Sequence, residues 1–252
     1  MLRYSIIIPI YNAAIWLRDA LSSVQNQTYG NWECICVDDG SEDDSALIVN
    51  EFAHMDSRFQ LIRAKHEGVG YARNTGMSTA TGDYLVFLDA DDWLDVDALE
   101  RLSVETADVV SFLPEKNAGL FDSLAGNLIA WNGIYKRECV CGIKFPNLIN
   151  CEDLVFAAEA YARAKTIKAG VHPWYHHRAT PGSAYNSHSW RRVRDSWKSI
   201  GMMYKAYQPT IRGYRMQLVL WRKLTAHFML HIVAEMLRYM IQNTIKTKIK
   251  GD

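Results

Sequence analysis

Four times in the first hundred residues an apolar run ends in polar residues and is followed by a helical stretch, and this alternation constrains the chain more than any other feature. Residues 5–8 stop at Pro9 and precede a helix predicted over about 13–27. Residues 32–38 precede a helix over 41–54, 59–64 precede one over 69–80, and 83–89 precede one over 93–102. Near-continuous apolar strands alternating with helices predict an α/β fold, with a mostly parallel central sheet and helices on both faces. The units are alike in pattern only, and there is no internal repeat or low-complexity tract. Beyond about residue 103 the alternation fades. An apolar run over 107–113 and a Gly- and Asn-containing stretch lead to 131–137, a predicted helix over 152–164, a strand-like 166–171, a polar loop over 172–188 and a long helical C-terminus.

In parallel sheets of this kind ligands bind beyond the carboxyl ends of the strands, and there this chain collects its polar residues. The first strand ends in Pro9, Tyr11 and Asn12, the second in Asp38, Asp39, Gly40 and Ser41, and the fourth in Asp89, Ala90, Asp91 and Asp92. Carboxylates at neighbouring strand ends repel unless something positive joins them. Hard oxygen ligands suit Mg²⁺ or Mn²⁺, which commonly bridges protein carboxylates and substrate phosphates. Helix capping is the competing role, and it is the one assigned here to Asp92 and Ser41. Asp38 and Asp39 offer acceptors for a nucleobase and a ribose. No Gly-x-Gly-x-x-Gly follows the first strand and no P-loop is present, while Gly68-Val69-Gly70 reads either as a phosphate loop or as a turn into the next helix.

Lysine plus arginine and aspartate plus glutamate both number 28, so global charge names no partner. The halves differ: residues 1–100 hold 6 basic against 17 acidic groups, leaving 22 against 11 in 101–252. Carboxylates gathered around something cationic, with basic groups facing something anionic, would produce this, and so would two halves that attract each other. An apolar fraction of 49% excludes a disordered chain. The five cysteines lack zinc-knuckle spacing and read as reduced cytosolic thiols, with Cys34 and Cys36 on one face of a buried strand. Met1 leads into a strand pattern rather than a secretory signal, and charges interrupt the most apolar C-terminal stretch, 218–241, so a cytoplasmic location is expected.

Six ordered motifs together resemble family 2 glycosyltransferases of the GT-A fold. They are Ser-Ile-Ile-Ile-Pro-Ile-Tyr-Asn at 5–12, Gln27-Thr28, Val-Asp-Asp-Gly-Ser-Glu-Asp-Asp-Ser at 37–45, Ala72-Arg73-Asn74-Thr75-Gly76, the run at 82–92 ending Asp89-Ala90-Asp91-Asp92, and Glu152-Asp153. The resemblance implies a Rossmann-like nucleotide-sugar-binding half at 1–103, an acceptor half at 104–187 and a helical C-terminal extension at 188–252. It implies that Tyr11 and Asp39 hold the base, Asp89 faces the ribose and Asp91 holds Mn²⁺ or Mg²⁺ on the diphosphate. Pro9, Asn12, Asp38 and Ala90 would complete the donor site, and Arg73 would add charge beside the diphosphate, a surface ion pair being the alternative. Asp153, with Glu152 beside it, would be the base for inverting transfer, although both acids also suit a helix N-terminus.

Tyr175-His176-His177-Arg178 and Gly182-Ser183 resemble the family's loop after the acceptor strand. Arg178 would contact the diphosphate and His177 would add a metal ligand, with His176 and His188 as alternatives. His227 and His231 lack the glutamate of a zinc protease and read as packing. The expected partners are a nucleotide sugar, uridine favoured by the resemblance alone, and a glycan or lipid-linked acceptor; nucleic acid is not expected. Basic C-terminal residues, among them Arg191, Arg192, Lys246, Lys248 and Lys250, would attract an anionic membrane or form a solvated face. An inactive nucleotide-sugar-binding scaffold is the alternative, and a sugar-1-phosphate nucleotidyltransferase is disfavoured because 9–12 is no Gly- and Arg-rich loop.

Overall fold

β1 (Tyr4–Ile10) is buried along its whole length because it is paired on both sides and covered on both faces. β2 (Trp32–Asp38) and β4 (Tyr84–Phe87) flank it in parallel, and β3 (Phe59–Arg63) extends the sheet beyond β2. On the other side β7 (Gly133–Lys136) runs antiparallel to β4 and to β6 (Val109–Ser111), and β8 (Ile167–Ala169) lies parallel to β6. The order is β3-β2-β1-β4-β7-β6-β8. One sheet therefore runs through the sequence position, near residue 103, where the alternation fades. The structure is a computed structural model that describes residues 1–103, 106–111, 130–148, 151–169, 175–178, 194–195, 198–199 and 201–202.

Period-two alternation divides the apolar strand residues between two cores. Ile6, Ile8, Ile10, Cys34 and Cys36 face α1 (Ala14–Gln25) and α2 (Ser45–Met55), which contribute Leu17, Leu21, Val24, Ile48, Val49 and Phe52. Ile7, Ile35, Val37, Leu85 and Phe87 face the opposite way, toward Ala72 of α3 (Val69–Thr79). That second core also takes Val155, Phe156, Ala157 and Ala160 from the helix Glu152–Arg163. Burying each large aliphatic side chain contributes about 1.5–3 kcal/mol, so the strands are held by their side chains on both faces as well as by the ladder. Cys34 and Cys36 share one core, as their spacing predicts, with sulfurs 3.8 Å apart.

Two predicted helices are shorter than their patterns suggest, each for a tertiary reason. α2 begins at Ser45, not residue 41, because the loop before it caps α1. Ser41 Oγ accepts from Asn12 N–H, Ser45 Oγ from Ala13 N–H and Asp43 from Ala14 N–H, which satisfies donors that α1 leaves open. Ser41 thus bonds the turn that leads into the preceding helix and does not cap its own. In the stretch 93–102, Trp93–Leu94 is instead the strand β5, paired antiparallel with β9 (Tyr175–His176), and the helix α4 covers only Ala98–Leu102. The helix Glu152–Arg163 is accordingly α5. β9 falls within the predicted loop 172–188. The stretch beyond 202 expected to be helical, the basic tail, His188, His227 and His231 lie outside the described residues. Among the described residues no helix is long and apolar enough to cross a membrane.

α3 packs against β1 at Gly76, where an added Cβ would overlap Ile7 Cγ2. Gly76→Ala is expected to destabilise the protein by about 1–3 kcal/mol in urea unfolding, as overpacking does. Gly30→Ala, with open space at the same test position, should change stability far less.

Candidate active site

The sheet opens at its carboxyl edge between β1 and β4. Their pairing stops at Ile7 and Phe87, two residues short of Pro9, whose nitrogen has no proton to continue a ladder. The chain ends that diverge there carry the polar residues. Tyr11, half exposed, stacks its ring on His66 with centroids 4.1 Å apart. His66 Nδ1 lies 3.1 Å from the Asp39 carbonyl and 3.2 Å from Asp39 Oδ2. Asp39 is buried and accepts from Glu67 N–H and Gly68 N–H at 3.0 and 2.8 Å, so its carboxylate fixes the entry to α3. Gly68 makes that entry at φ 103, which a residue with a Cβ resists. Asp38 Oδ1 accepts from Ser41 N–H at 3.0 Å, and its Oδ2 is 3.6 Å from Arg63 Nε. Asn12, at φ 49, accepts from Glu42 N–H and joins the first strand end to the second.

At the end of β4, residues 89–92 are held from behind by β9. Tyr175 Oη accepts from Asp89 N–H at 3.1 Å and donates to Asp92 Oδ2 at 2.5 Å. Arg178 N–H reaches Asp92 Oδ1 at 2.8 Å and its Nε–H reaches the Asp91 carbonyl at 2.9 Å. Asp92 is therefore a buried anchor for this turn and not the helix cap its sequence position suggests. Burial, with the charges of Asp89 and Asp91 behind it, pushes its carboxyl up to about 6 against those hydrogen bonds. Arg178 also donates to Asp19 at 2.8 Å, and its guanidinium carbon lies 4.5 Å from the Trp16 ring centroid and 4.8 Å from that of Trp93. Nε and Nη2 are thus bonded to the protein. His177 is exposed and stacks on Trp131, which in turn stacks on Tyr175.

Asp91 presents a half-buried hard oxygen donor at this edge. Among the described residues no three His, Cys, Asp or Glu side chains come together as a protein-only cage. The donor chemistry fits a Mg²⁺- or Mn²⁺-type ion that takes one or two protein carboxylates and completes its shell with phosphate and water.

Arg73 ties this edge to the first turn of α5. Cys151, just before it, has φ 64, a left-handed conformation that a non-glycine residue adopts at a cost of about 1–2 kcal/mol. Glu152 is buried and accepts from Arg73 Nη1 at 2.8 Å, while Arg73 Nη2 donates to Asp89 Oδ1 at 2.9 Å. Asp153 Oδ1 accepts from Leu154 N–H at 2.8 Å. Burial, then the charge of Glu152, raises the Asp153 carboxyl to about 7, with Arg73 pulling the other way. The sequence reading had no role for His66, Asn74, Trp131 or Tyr175. Asn74 and Tyr175 stand inside the motifs that carry the resemblance and Trp131 opens a stretch, 131–137, that continues it, whereas nothing in the local pattern marks His66.

Residues 5–107 match the family model described as glycosyl transferase family 2. Over these residues the chain is similar to this family. It is 40% identical over 147 residues to the E. coli UDP-Glc:alpha-D-GlcNAc-diphosphoundecaprenol beta-1,3-glucosyltransferase WfgD, covering 55% of this chain and 56% of that one. Solved structures with the same fold include S. aureus TarS with UDP-GlcNAc, at TM-score 0.69 and 17% identity over 90% of this chain and 80% of that one. Another is the Pyrobaculum calidifontis mannosyltransferase PcManGT with GDP-Man and Mn²⁺, at TM-score 0.66 and 19% identity over 95% and 75%. The fold is thus GT-A, with the mostly parallel seven-stranded sheet described above.

The raised Asp153 carboxyl has a consequence for stability. An unfolded aspartate titrates near 3.9, and the folded group titrates at about 7. Below pH 4 both states hold the proton. As pH rises from 4 through 7 the unfolded state loses its proton first, so the native state loses stability. Asp153→Asn should therefore be more stable than wild type at pH 8, with the difference closing toward pH 4 in a denaturation series.

Proposed function

We propose that the chain is an inverting, metal-assisted glycosyltransferase that moves a sugar from a nucleoside-diphosphate sugar to a hydroxyl of a glycan or lipid-linked acceptor, with Asp153 as general base. The observation that carries this reading is the electrostatic layout of one crevice. Carboxylates follow β2 and β4 at one edge of the sheet, and Arg73 joins Asp89 there to Glu152 in the first turn of α5, next to a carboxyl with a titration midpoint of about 7. A base working at neutral pH needs a midpoint near that pH.

In this reading Tyr11, backed by His66, stacks on the base, and Asp39 accepts from it, with Pro9, Asn12 and Asp38 shaping the same end. Asp89 and Ala90 face the ribose. Asp91, with His177 as a further ligand, holds Mn²⁺ or Mg²⁺, which when bound offsets the negative charge that develops on the leaving diphosphate. The acceptor hydroxyl attacks the anomeric carbon from the side opposite the diphosphate, the C–O bond to phosphate breaks, and Asp153 takes the hydroxyl proton. One displacement inverts the anomeric centre, and no covalent enzyme intermediate is needed.

The chain spans 56% of the length of WfgD, so donor, acceptor and partners are all part of the proposal. WfgD's name specifies UDP-glucose and a lipid-diphosphate acceptor, and TarS and PcManGT hold UDP-GlcNAc and GDP-Man with Mn²⁺. These support a nucleotide-sugar donor, a uridine base in the first instance, a divalent cation and a lipid-linked acceptor. The donor half at 1–103, the acceptor half at 104–187 and the extension at 188–252 belong to the same reading, as does a cytoplasmic site of action against an anionic membrane surface.

A thermal-shift panel of UDP, GDP and dTDP sugars with and without Mn²⁺ should give a metal-dependent rise with one nucleotide, since binding to the native state stabilises it by mass action. With that donor, Asp153→Asn should lower kcat by about 10²–10⁴-fold while leaving donor affinity nearly intact. Absence of any shift across the panel would remove the donor site from the proposal. Tyr11→Ala should weaken donor binding by roughly 5–150-fold, the equivalent of 1–3 kcal/mol of base stacking, as read by calorimetry.

A further inference from the structure

Arg73 lies within α3, is only 4% exposed and directs its two terminal nitrogens to two carboxylates. Nη2 bonds Asp89 Oδ1 at 2.9 Å at the end of β4, and Nη1 bonds Glu152 Oε1 at 2.8 Å in the first turn of α5. The remaining Nε–H is buried without a hydrogen-bond partner. Phe145 lies beside the guanidinium, its ring centroid 5.4 Å from the central carbon. The next residue repeats the link by another means: Asn74 Nδ2 donates to the Phe145 carbonyl at 2.8 Å, and Asn74 Oδ1 accepts from Phe145 N–H at 2.9 Å. Two successive side chains of α3 thus clamp a segment some seventy to eighty residues away, one by charge and one by paired amide bonds.

An arginine so placed is buried and already paired with two carboxylates, a buried ion pair where the sequence offered a diphosphate contact or a surface ion pair. It is also a poor device for stability alone. The desolvation of a buried ion pair offsets much of its attraction, and an unmet Nε–H adds to the cost. What a buried guanidinium supplies is geometry, because its planar fork fixes two acceptors in one plane, which a lysine cannot do.

We infer that Arg73 is a positioning residue for transfer, locking the first turn of α5, and with it the Asp153 carboxylate, at a fixed place relative to the donor-side Asp89. The inference rests on the proposed glycosyl transfer and deepens it. The charged and titratable groups facing Asp153 are Arg73 from α3, Asp89 from the end of β4, Glu152 from its own helix and Tyr135 from β7. Burial opposes the Arg73 charge, but Asp89, Glu152 and Asp153 together hold the guanidinium above its ordinary value. The arginine is the cation in that set, and it draws the Asp153 carboxyl down while Glu152 pushes it up.

The test is a carboxyl titration by NMR of aspartate-labelled protein, with the Asp153 signal identified by its loss in Asp153→Asn, beside kcat and KM across pH. Arg73→Met should raise the Asp153 midpoint by about 1–3 pH units, the usual effect of a removed opposite charge, and Glu152→Gln, which keeps an acceptor for Arg73, should lower it. In turnover, Arg73→Met should reduce kcat by about 10²-fold, as misplacement of a reacting group does, with donor KM little changed. Arg73→Lys should restore most of the midpoint and little of kcat, because it returns the charge without the fork. An unmoved Asp153 midpoint in every variant, or a rise in donor KM alone, would overturn the inference. If Arg73→Met does not fold, the opposite-signed shift in Glu152→Gln decides. Titration needs no turnover, so a wild type that transfers no sugar yet shows these shifts would count against the proposed reaction and not against the coupling.

Discussion

Parallel pairing of β1 with β2 on one side and β4 on the other is the constraint on which the crevice depends. Parallel strands all deliver their carboxyl ends to one edge, so the polar residues that follow each apolar run arrive together although they are separated by about thirty or fifty residues of sequence. Divergence of β1 from β4 beyond Ile7 and Phe87 then makes that edge a cleft and not a closed ladder. The hydrophobic faces hold the strands in register. A one-residue slip in β1 would exchange the two cores, moving Ile7 into the place of Ile6 and Ile8.

Negative charge accumulates at that edge, and the fold manages it with a small number of directed contacts. Asp39 is tied to backbone N–H groups at the start of α3, Asp38 to Ser41 N–H, and Asp92 to Tyr175 and Arg178 from β9. Each of these carboxylates is buried and each fixes a loop, so the acids are structural as well as chemical. Arg73 is the exception in kind, a buried cation that joins the β4 end to α5. The outcome is a divided set of carboxyl groups. Asp92 and Asp153 are raised to about 6 and about 7 by burial, so both titrate near neutral pH.

The parallel core was legible because each strand and helix of 4–87 rests on local periodicity and on punctuation by Pro, Gly and Asp. The motifs from residue 5 to 92 were legible for the same reason, since each is a short run at a strand end. Roles that depend on a distant partner were not. Ser41 looks like a cap for α2 but bonds the turn before α1 instead, because the β1 and β2 ends lie side by side. Trp93 and Leu94 have a helical setting but pair with a segment about eighty residues later. Asp92 changes from helix cap to buried anchor through the same pairing, and Arg178 is drawn to Trp16, Trp93 and Asp19 by the packing that follows.

By itself the sequence determined the fold class, the strand ends that carry chemistry and the family these motifs resemble, since all three are written in local order along the chain. Only the tertiary structure decided which carboxylates are shared with backbone, which are raised toward neutrality and where the two arginines point. Those properties depend on burial and on neighbours remote in sequence. Arg73 shows the difference most plainly: its position in α3 is readable from the helix pattern, but its fork is defined by Asp89 and Glu152, which approach it only when β4 and α5 are both in place.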